Sequence, residues 1–341
     1  KLLNLHWFFL MKKPICSIKL SKKTLIKLLK VIIPLGIGIV LIYYSLSSAT
    51  EEERAILWKN IKQANPFYIA VSLLFGILSH LSRAWRWQFL LEPMGYKPKL
   101  ANRFMAVMAA YLANLGIPRS GELLRGALLT TYEEVPFEKA FGTIISERIA
   151  DFLMLLLVVA IAIFLQTDTL LEYLNDQNIN PLYTVAFLAL AVGGIWVGFR
   201  IVKNAKSGFL HKIQQFMTGL VEGMRSILNM KHKLAFIAHT LFIWVMYVLM
   251  FWVIKFTIPE IADASTGVIL AAFVIGSFSI SVTNGGIGVY PIAIGALFIF
   301  FDYSKQGGEA FGWIVWGSQT LLVLILGALS FLLLPLYNQT K

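Results

Sequence analysis

The chain has 341 residues, of which 58% are apolar and only 14% charged, and its formal net charge is +12. This composition excludes an ordinary water-soluble globular protein and predicts an all-α polytopic membrane protein. The basic residues flank apolar runs, which favours contact with anionic lipid headgroups and excludes nucleic acid as the expected partner. A single cysteine and five histidines without ligand spacing give no reason to expect a disulfide, a metal or another cofactor.

The basic N-terminal segment, residues 1–30, carries eight lysines and no acidic residue, so we expect it in the cytoplasm. Val31–Leu46 is a first apolar span, although a cleaved signal peptide is the alternative because small residues follow it. Glu51–Pro66 is polar and of mixed charge, which indicates a short loop on the outer side. Phe67–Leu91 is the second span.

Near the inner end of this second span, Arg83 and Arg86 are three residues apart and therefore share a helix face. They could clamp a lipid phosphate through bidentate hydrogen bonds, with Trp85 and Trp87 at the headgroup level. Snorkelling of both arginines within an aromatic belt is the alternative.

The next apolar segment is interrupted at its middle. Leu100–Leu115 and Glu122–Thr131 flank Gly116-Ile-Pro-Arg-Ser-Gly121, whose glycines and proline break a continuous helix. At ~1.5 Å per residue each half reaches only ~15 to 25 Å, which is less than the ~30 Å hydrocarbon core. The lengths therefore predict a re-entrant helical hairpin.

The remaining chain repeats this order. We expect further full spans at Ala140–Leu165, Pro181–Ile201, Leu234–Phe256 and Gly312–Leu336. Residues 167–180 are acidic and should lie outside, whereas residues 202–233 are basic and predict a cytoplasmic amphipathic loop on the inner leaflet. A second interrupted segment consists of Ala264–Val282 and Val289–Phe301 around Thr283-Asn-Gly-Gly-Ile-Gly288.

The prediction is thus about six full spans and two re-entrant hairpins, with both termini in the cytoplasm and the protein in the bacterial inner membrane. The same order of spans and hairpin occurs twice, at about residues 31–165 and 181–336, and each copy crosses the membrane an odd number of times. The second copy therefore starts from the opposite side of the membrane. Such inverted repeats are typical of secondary transporters, in which paired interrupted helices form the substrate site.

Charged residues inside the apolar sequence are the candidates for this site. Glu122 and Arg125, like Arg148 and Asp151, are three residues apart and share a helix face. A lone charge at bilayer depth costs at least ~2.5 kcal/mol, so these groups must face one another or a hydrated cavity. They either form buried ion pairs that fix the hairpin against the third span, or receive an anionic headgroup while the acids balance charge. The candidate substrate-binding residues are Arg83, Arg86, Asn114, Arg119, Glu122, Arg125, Glu147, Arg148, Asp151, Asn284, Gly285 and Gly286.

A family resemblance follows from the stretches Gly116-Ile-Pro-Arg-Ser-Gly-Glu-Leu-Leu-Arg125, Ser146-Glu-Arg-Ile-Ala-Asp151 and Asn284-Gly-Gly-Ile-Gly-Val289. With Arg83-Ala-Trp-Arg-Trp87, these resemble the lysylphosphatidylglycerol synthase transmembrane-domain family, also called flippase-like, over about residues 31 to 336. The chain is similar to the lipid-translocating half of the bacterial multiple peptide resistance factor. The resemblance implies a flippase-like protein that moves an anionic or aminoacylated phospholipid or glycolipid between leaflets.

Two departures from that family affect this expectation. No soluble domain follows Leu336, so we expect none of the aminoacyl-tRNA-dependent synthase activity of the two-part relatives and no enzymatic activity. Relatives also commonly carry proline before the second glycine-rich motif and glutamate shortly after it, where this chain has Thr283 and Tyr290-Pro291.

Two other classes of function stay open. One is a membrane-embedded transferase that acts on lipid-linked substrates, with Glu122, Glu147 or Asp151 as general base. The other is a scaffold whose buried charges are only structural. The sequence contains no Gly-x-x-x-x-Gly-Lys-Ser/Thr motif, so transport would be downhill or ion-coupled.

Overall fold

The computed structural model describes residues 50–176, 230–283 and 285–339, together with the isolated positions 43, 47 and 190. Regular structure in these ranges is entirely helical. The α-helices are α1 (Glu51–Gln63), α2 (Pro66–Leu91), α3 (Leu100–Gly116), α4 (Ser120–Glu133), α5 (Phe137–Leu165), α6 (Thr167–Asp176), α7 (Lys233–Trp252), α8 (Thr266–Val282), α9 (Val289–Phe300) and α10 (Lys305–Tyr337). The described chain is therefore an all-α protein, as predicted.

Four helical segments are long and apolar enough to cross a membrane: Pro66–Met94, Phe137–Leu165, Lys233–Thr257 and Lys305–Tyr337. Each coincides with a predicted span, although the last begins seven residues before the predicted Gly312. The spans predicted at 31–46 and 181–201, and residues 202–229 of the predicted amphipathic loop, lie outside the described residues. The described residues thus form a multi-pass membrane protein with four candidate spans.

Helix α1 corrects the prediction of a polar loop at Glu51–Pro66. The Thr50 hydroxyl accepts a hydrogen bond from the Glu53 N–H (3.2 Å), and the Glu53 carboxylate accepts one from the Thr50 N–H (2.8 Å). This capping box starts the helix, and Leu57 is buried beneath it. The hydrogen bond from the Thr50 N–H also lowers the pKa of Glu53. Apolar periodicity alone missed this helix because only one of its turns faces the core.

Both interrupted segments fold as pairs of short helices. The first pair, α3 and α4, has 17 and 14 residues, and the second, α8 and α9, has 17 and 12. At ~1.5 Å per residue each helix is ~18 to 26 Å long, which is shorter than the ~30 Å hydrocarbon core. We call the two pairs the first hairpin and the second hairpin.

The long helices bring these hairpins together. Helix α2 packs along α7, α3 packs against α10, and α8 packs against α5. The larger apolar core lies mainly among α7 to α10, with members from α1 and α5, and contains the fully buried rings of Phe251, Phe298 and Phe311. A smaller core around Trp87 and Ile144 joins α2, α3, α4 and α5. The charged residues of the first hairpin lie beside this smaller core.

Candidate functional site

A buried ion-pair network joins α2 to α5, and Asp151 is one of its two acceptors. Its carboxylate pairs with Arg83 Nη1 at 2.6 Å and with Arg86 Nη1 at 3.0 Å. The same Arg86 nitrogen donates to Thr240 Oγ1 of α7 at 3.0 Å, and Arg83 Nη2 donates to the Tyr247 hydroxyl at 3.3 Å. Arg83 and Arg86 are 3% and 0% exposed, so the snorkelling alternative is wrong for both.

Glu147 is the second acceptor and ties the first hairpin to α5. Its Oε2 lies 2.6 Å from Arg125 Nη1, and its Oε1 lies 3.5 Å from Arg86 Nε. The Arg125 guanidinium lies over the Trp87 ring, 3.7 Å from the ring centre, and the Trp87 indole N–H donates to Thr143 Oγ1 at 2.7 Å. Trp87 is fully buried within the protein and is the platform on which Arg125 stacks.

The network as a whole is positive. Three arginines, Arg83, Arg86 and Arg125, face two carboxylates, which leaves one positive charge. Five of its guanidinium nitrogens are buried and make no hydrogen bond among the described residues: Arg83 Nε, Arg86 Nε, Arg86 Nη2, Arg125 Nε and Arg125 Nη2. Only two buried acceptor atoms of the network, the Glu147 oxygens, are in the same state, although both take part in ion pairs. Buried donors are normally satisfied, so this excess favours negative charge or water nearby.

A second ion pair between the hairpin and α5 is more open. Arg148 Nη2 lies 3.1 Å from Glu122 Oε1, and the two side chains are 45% and 24% exposed. Both residues line a small enclosed space of about 10 Å³ that also touches Arg125. A space of this size holds about one water molecule. The pair therefore stands between the buried network and the larger cavity described next.

A cavity of about 500 Å³ lies between the two hairpins. The first hairpin contributes Asn114, Arg119 and Glu122, and α5 contributes Arg148. The far wall belongs to the second hairpin and to α10. Its polar and aromatic members are Ser281, Thr283, Gly285, Tyr290, Trp316, Gln319 and Thr320. All charged residues of the described lining thus lie on one side of the cavity, and the opposite side is neutral.

The turn of the first hairpin depends on a close approach of its two helices. A Cβ on Gly121 would lie 2.2 Å from the Ala110 carbonyl oxygen, so only glycine fits there. The Asn114 side-chain oxygen accepts a hydrogen bond from the Gly121 N–H at 2.7 Å. Arg119 precedes α4 in the left-handed region, with φ of 64°, and its side chain is exposed with no hydrogen bond or ion pair to described residues.

The turn of the second hairpin uses glycines at positive φ, including Gly285 and Gly286. Trp316 of α10 donates its indole N–H to the Gly285 carbonyl at 2.7 Å, and Thr283 Oγ1 accepts the Gly286 N–H at 3.0 Å. Gly285 lines the cavity, whereas Gly286 does not and packs against Ile280 and Tyr290. Asn284, the remaining predicted residue of this turn, lies outside the described residues.

The structure therefore divides the predicted site residues into two groups. Arg83, Arg86, Arg125, Glu147 and Asp151 form the buried network, whereas Asn114, Arg119, Glu122, Arg148 and Gly285 line the cavity. The partners from α7 and α10, Thr240, Tyr247 and Trp316, were not predicted because a single polar residue in an apolar span carries no local signal. Within the described ranges, no group of three His, Cys, Asp or Glu side chains could hold a metal ion.

Residues 31–331 match the family described as the lysylphosphatidylglycerol synthase TM region. The UPF0104 membrane protein MJ1595 of Methanocaldococcus jannaschii is 26% identical over 137 residues, which are 39% of this chain and 41% of that protein. The chain thus spans less than half the length of this relative. No solved structure matches the chain. Because the family match covers most of its length, the chain belongs to the lysylphosphatidylglycerol synthase transmembrane-region family.

Proposed function

We propose that the protein binds the headgroup of a phospholipid or glycolipid, anionic or aminoacylated, in the cavity between the hairpins and moves that lipid across the bacterial inner membrane. The observation that carries this proposal is the cavity itself, where Arg119 and Arg148 stand on a wall opposite the turn of the second hairpin. Arginine donates in a planar fork that suits phosphate. An ionisable group at membrane depth beside a cavity is a site hypothesis by default.

The helix packing supports an inverted repeat as part of this proposal. Helix α3 of the first hairpin packs against α10, the last span of the second half, and α8 of the second hairpin packs against α5, the last span of the first half. The two second spans, α2 and α7, pack against each other. This exchange of partners is expected from two halves related by a two-fold axis in the membrane plane. Both hairpins would then be re-entrant and meet near mid-membrane.

The same geometry argues against the transferase alternative. Glu147 and Asp151 are each engaged with arginine at 2.6 Å, and Glu122 is paired with Arg148. A carboxylate held in such a pair favours its ionised form but must leave its partner before it can reach a substrate proton. We therefore propose that the protein is not an enzyme and that the network serves binding and architecture.

Lipid translocation in reconstituted vesicles tests the proposal. With fluorescent phosphatidylglycerol as the probe, Arg119→Gln should lower the translocation rate at least about tenfold, or about 1.4 kcal/mol, because it removes a guanidinium from the cavity wall. Arg119→Lys keeps the charge and should retain part of the rate, and Lys97→Gln, at an exposed side chain outside the cavity, should retain all of it. Wild-type rates for Arg119→Gln, at equal protein yield, would refute the site.

The topology has its own test. Cysteines introduced at positions 170 and 220 of a Cys16→Ser background should react with an impermeant reagent from opposite sides of the membrane. Reaction of both positions from one side would end the inverted-repeat arrangement, whatever the transport assay shows.

A further inference from the structure

We infer that Glu122 sets the charge selectivity of the cavity, so that a headgroup with one negative charge, a phosphodiester, is bound in preference to a phosphomonoester. This inference rests on the proposed function, because it concerns the same cavity. It goes further by assigning a specificity-determining residue and the charge class that this residue selects.

The first step is the charge count of the cavity wall. The charged residues among its described lining are Arg119, Glu122 and Arg148, which sum to one positive charge. A phosphodiester carries one negative charge and neutralises this sum. A phosphomonoester carries ~1.5 to 2 negative charges at pH 7, so it leaves an excess negative charge beside Glu122.

The second step is the position of the Glu122 carboxylate. One oxygen pairs with Arg148 at 3.1 Å, and the other, Oε2, is buried and finds no hydrogen-bond partner among the described residues. Among the described residues, Arg148 is therefore the one group that forms an ion pair with this carboxylate. A second negative charge on the ligand would bring the ligand and Glu122 into competition for that same guanidinium.

The third step is the contrast with the neighbouring pair. Arg125 lies three residues after Glu122, and Glu147 directly precedes Arg148, yet the side chains of Arg125 and Glu147 are 4% and 1% exposed and contribute nothing to the cavity wall. The open pair, with Arg148 45% exposed, is the one that a ligand can reach. The buried pair, Arg125 and Glu147, thus holds the hairpin in place, whereas the accessible pair, Glu122 and Arg148, meets the headgroup.

The experiment measures competition between two lipids with identical acyl chains. Purified protein in detergent receives an equal mixture of dioleoyl phosphatidylglycerol and dioleoyl phosphatidate, and mass spectrometry of the intact complexes counts each bound lipid. Glu122→Gln preserves the shape of the side chain, and its amide oxygen can still accept from Arg148. It raises the wall charge to two and should shift the bound ratio toward phosphatidate about tenfold, or about 1.4 kcal/mol.

Two further variants keep the result interpretable. Glu122→Asp retains the charge and should keep the wild-type ratio. Ser281 is exposed on the opposite wall, so Ser281→Asp adds a negative charge there and should shift the ratio toward phosphatidylglycerol. An unchanged ratio in Glu122→Gln would overturn the inference, and a ratio that responds to Ser281→Asp would then assign the selectivity to the total charge of the wall and not to Glu122.

The transport assay separates this inference from the proposed function. If the bound ratio responds to Glu122→Gln while neither lipid is translocated by the wild-type protein in vesicles, charge selectivity stands and transport falls. If phosphatidylglycerol is translocated but the bound ratio does not respond, transport stands and the role of Glu122 falls.

Discussion

Replacing Glu147 by glutamine should destabilise the fold strongly, because this carboxylate is 1% exposed and faces two arginines. The buried network has three guanidinium groups and two carboxylates, and Glu147→Gln raises its net charge from one to two. Removing one partner of a buried ion pair typically costs ~3 to 5 kcal/mol. Arg125 keeps its stacking on Trp87 and Arg86 keeps Asp151, so we expect the lower end, ~3 kcal/mol.

The free energy of unfolding in mixed micelles, from a denaturant titration followed by tryptophan fluorescence, measures this loss. The matched control is Glu122→Gln, which breaks the charge of the partly exposed pair with Arg148 and should cost less than ~1 kcal/mol. A double variant, Glu147→Gln with Arg125→Met, removes both members of the buried pair. It should recover part of the lost stability, because no uncompensated guanidinium remains at that position.

Equal costs for Glu147→Gln and Glu122→Gln would refute this reasoning, since burial would then make no difference to the value of the charge. So would additive losses in the double variant, which would mean that Arg125 and Glu147 do not interact.

Two further predictions concern the turn of the first hairpin and the N-terminal cap of α1. Gly121→Ala should abolish the recovery of monodisperse protein in size-exclusion chromatography, because the new Cβ would lie 2.2 Å from the Ala110 carbonyl oxygen. The control is Gly142→Ala on α5, where the new Cβ meets no atom within 4 Å and the protein should behave as wild type. The pKa of Glu53 is lowered in the folded protein, so its contribution to stability is present at neutral pH and is lost as the pH falls through the lowered pKa. The difference in melting temperature between wild type and Glu53→Gln should therefore disappear in acid, and a difference that persists there would show that the ionised form of Glu53 is not the source of the stabilisation.

The long helices could be predicted from the sequence because stretches of more than twenty predominantly apolar residues leave few alternatives. The agreement of the bounds varies: the predicted Phe67–Leu91 is Pro66–Leu91 in the structure, whereas the predicted Gly312–Leu336 is Lys305–Tyr337. Helix α1 could not be found this way, since its sequence is polar and its stability comes from a cap and from one buried turn. The signal was nevertheless present as Thr50 followed by Glu53.

The residues of the candidate site were predictable as a set, because charges are rare in apolar sequence. Their partners were not. Helical spacing put Glu122 beside Arg125, yet each pairs across to α5, Arg125 with Glu147 and Glu122 with Arg148. Helical spacing defines faces, whereas partners depend on how two helices are aligned, which no local pattern encodes. The contact between Arg125 and the Trp87 ring was not predicted for the same reason.

Arg119 has a backbone geometry that glycine would adopt at lower cost. A non-glycine residue in the left-handed region lowers the stability of the fold by roughly 1 to 2 kcal/mol. Arg119→Gly should therefore stabilise the turn, although it removes the guanidinium from the cavity wall. Robustness and activity would then move in opposite directions at a single position. Selection for thermal stability alone would therefore favour this substitution, and the resulting protein would be more stable but less active.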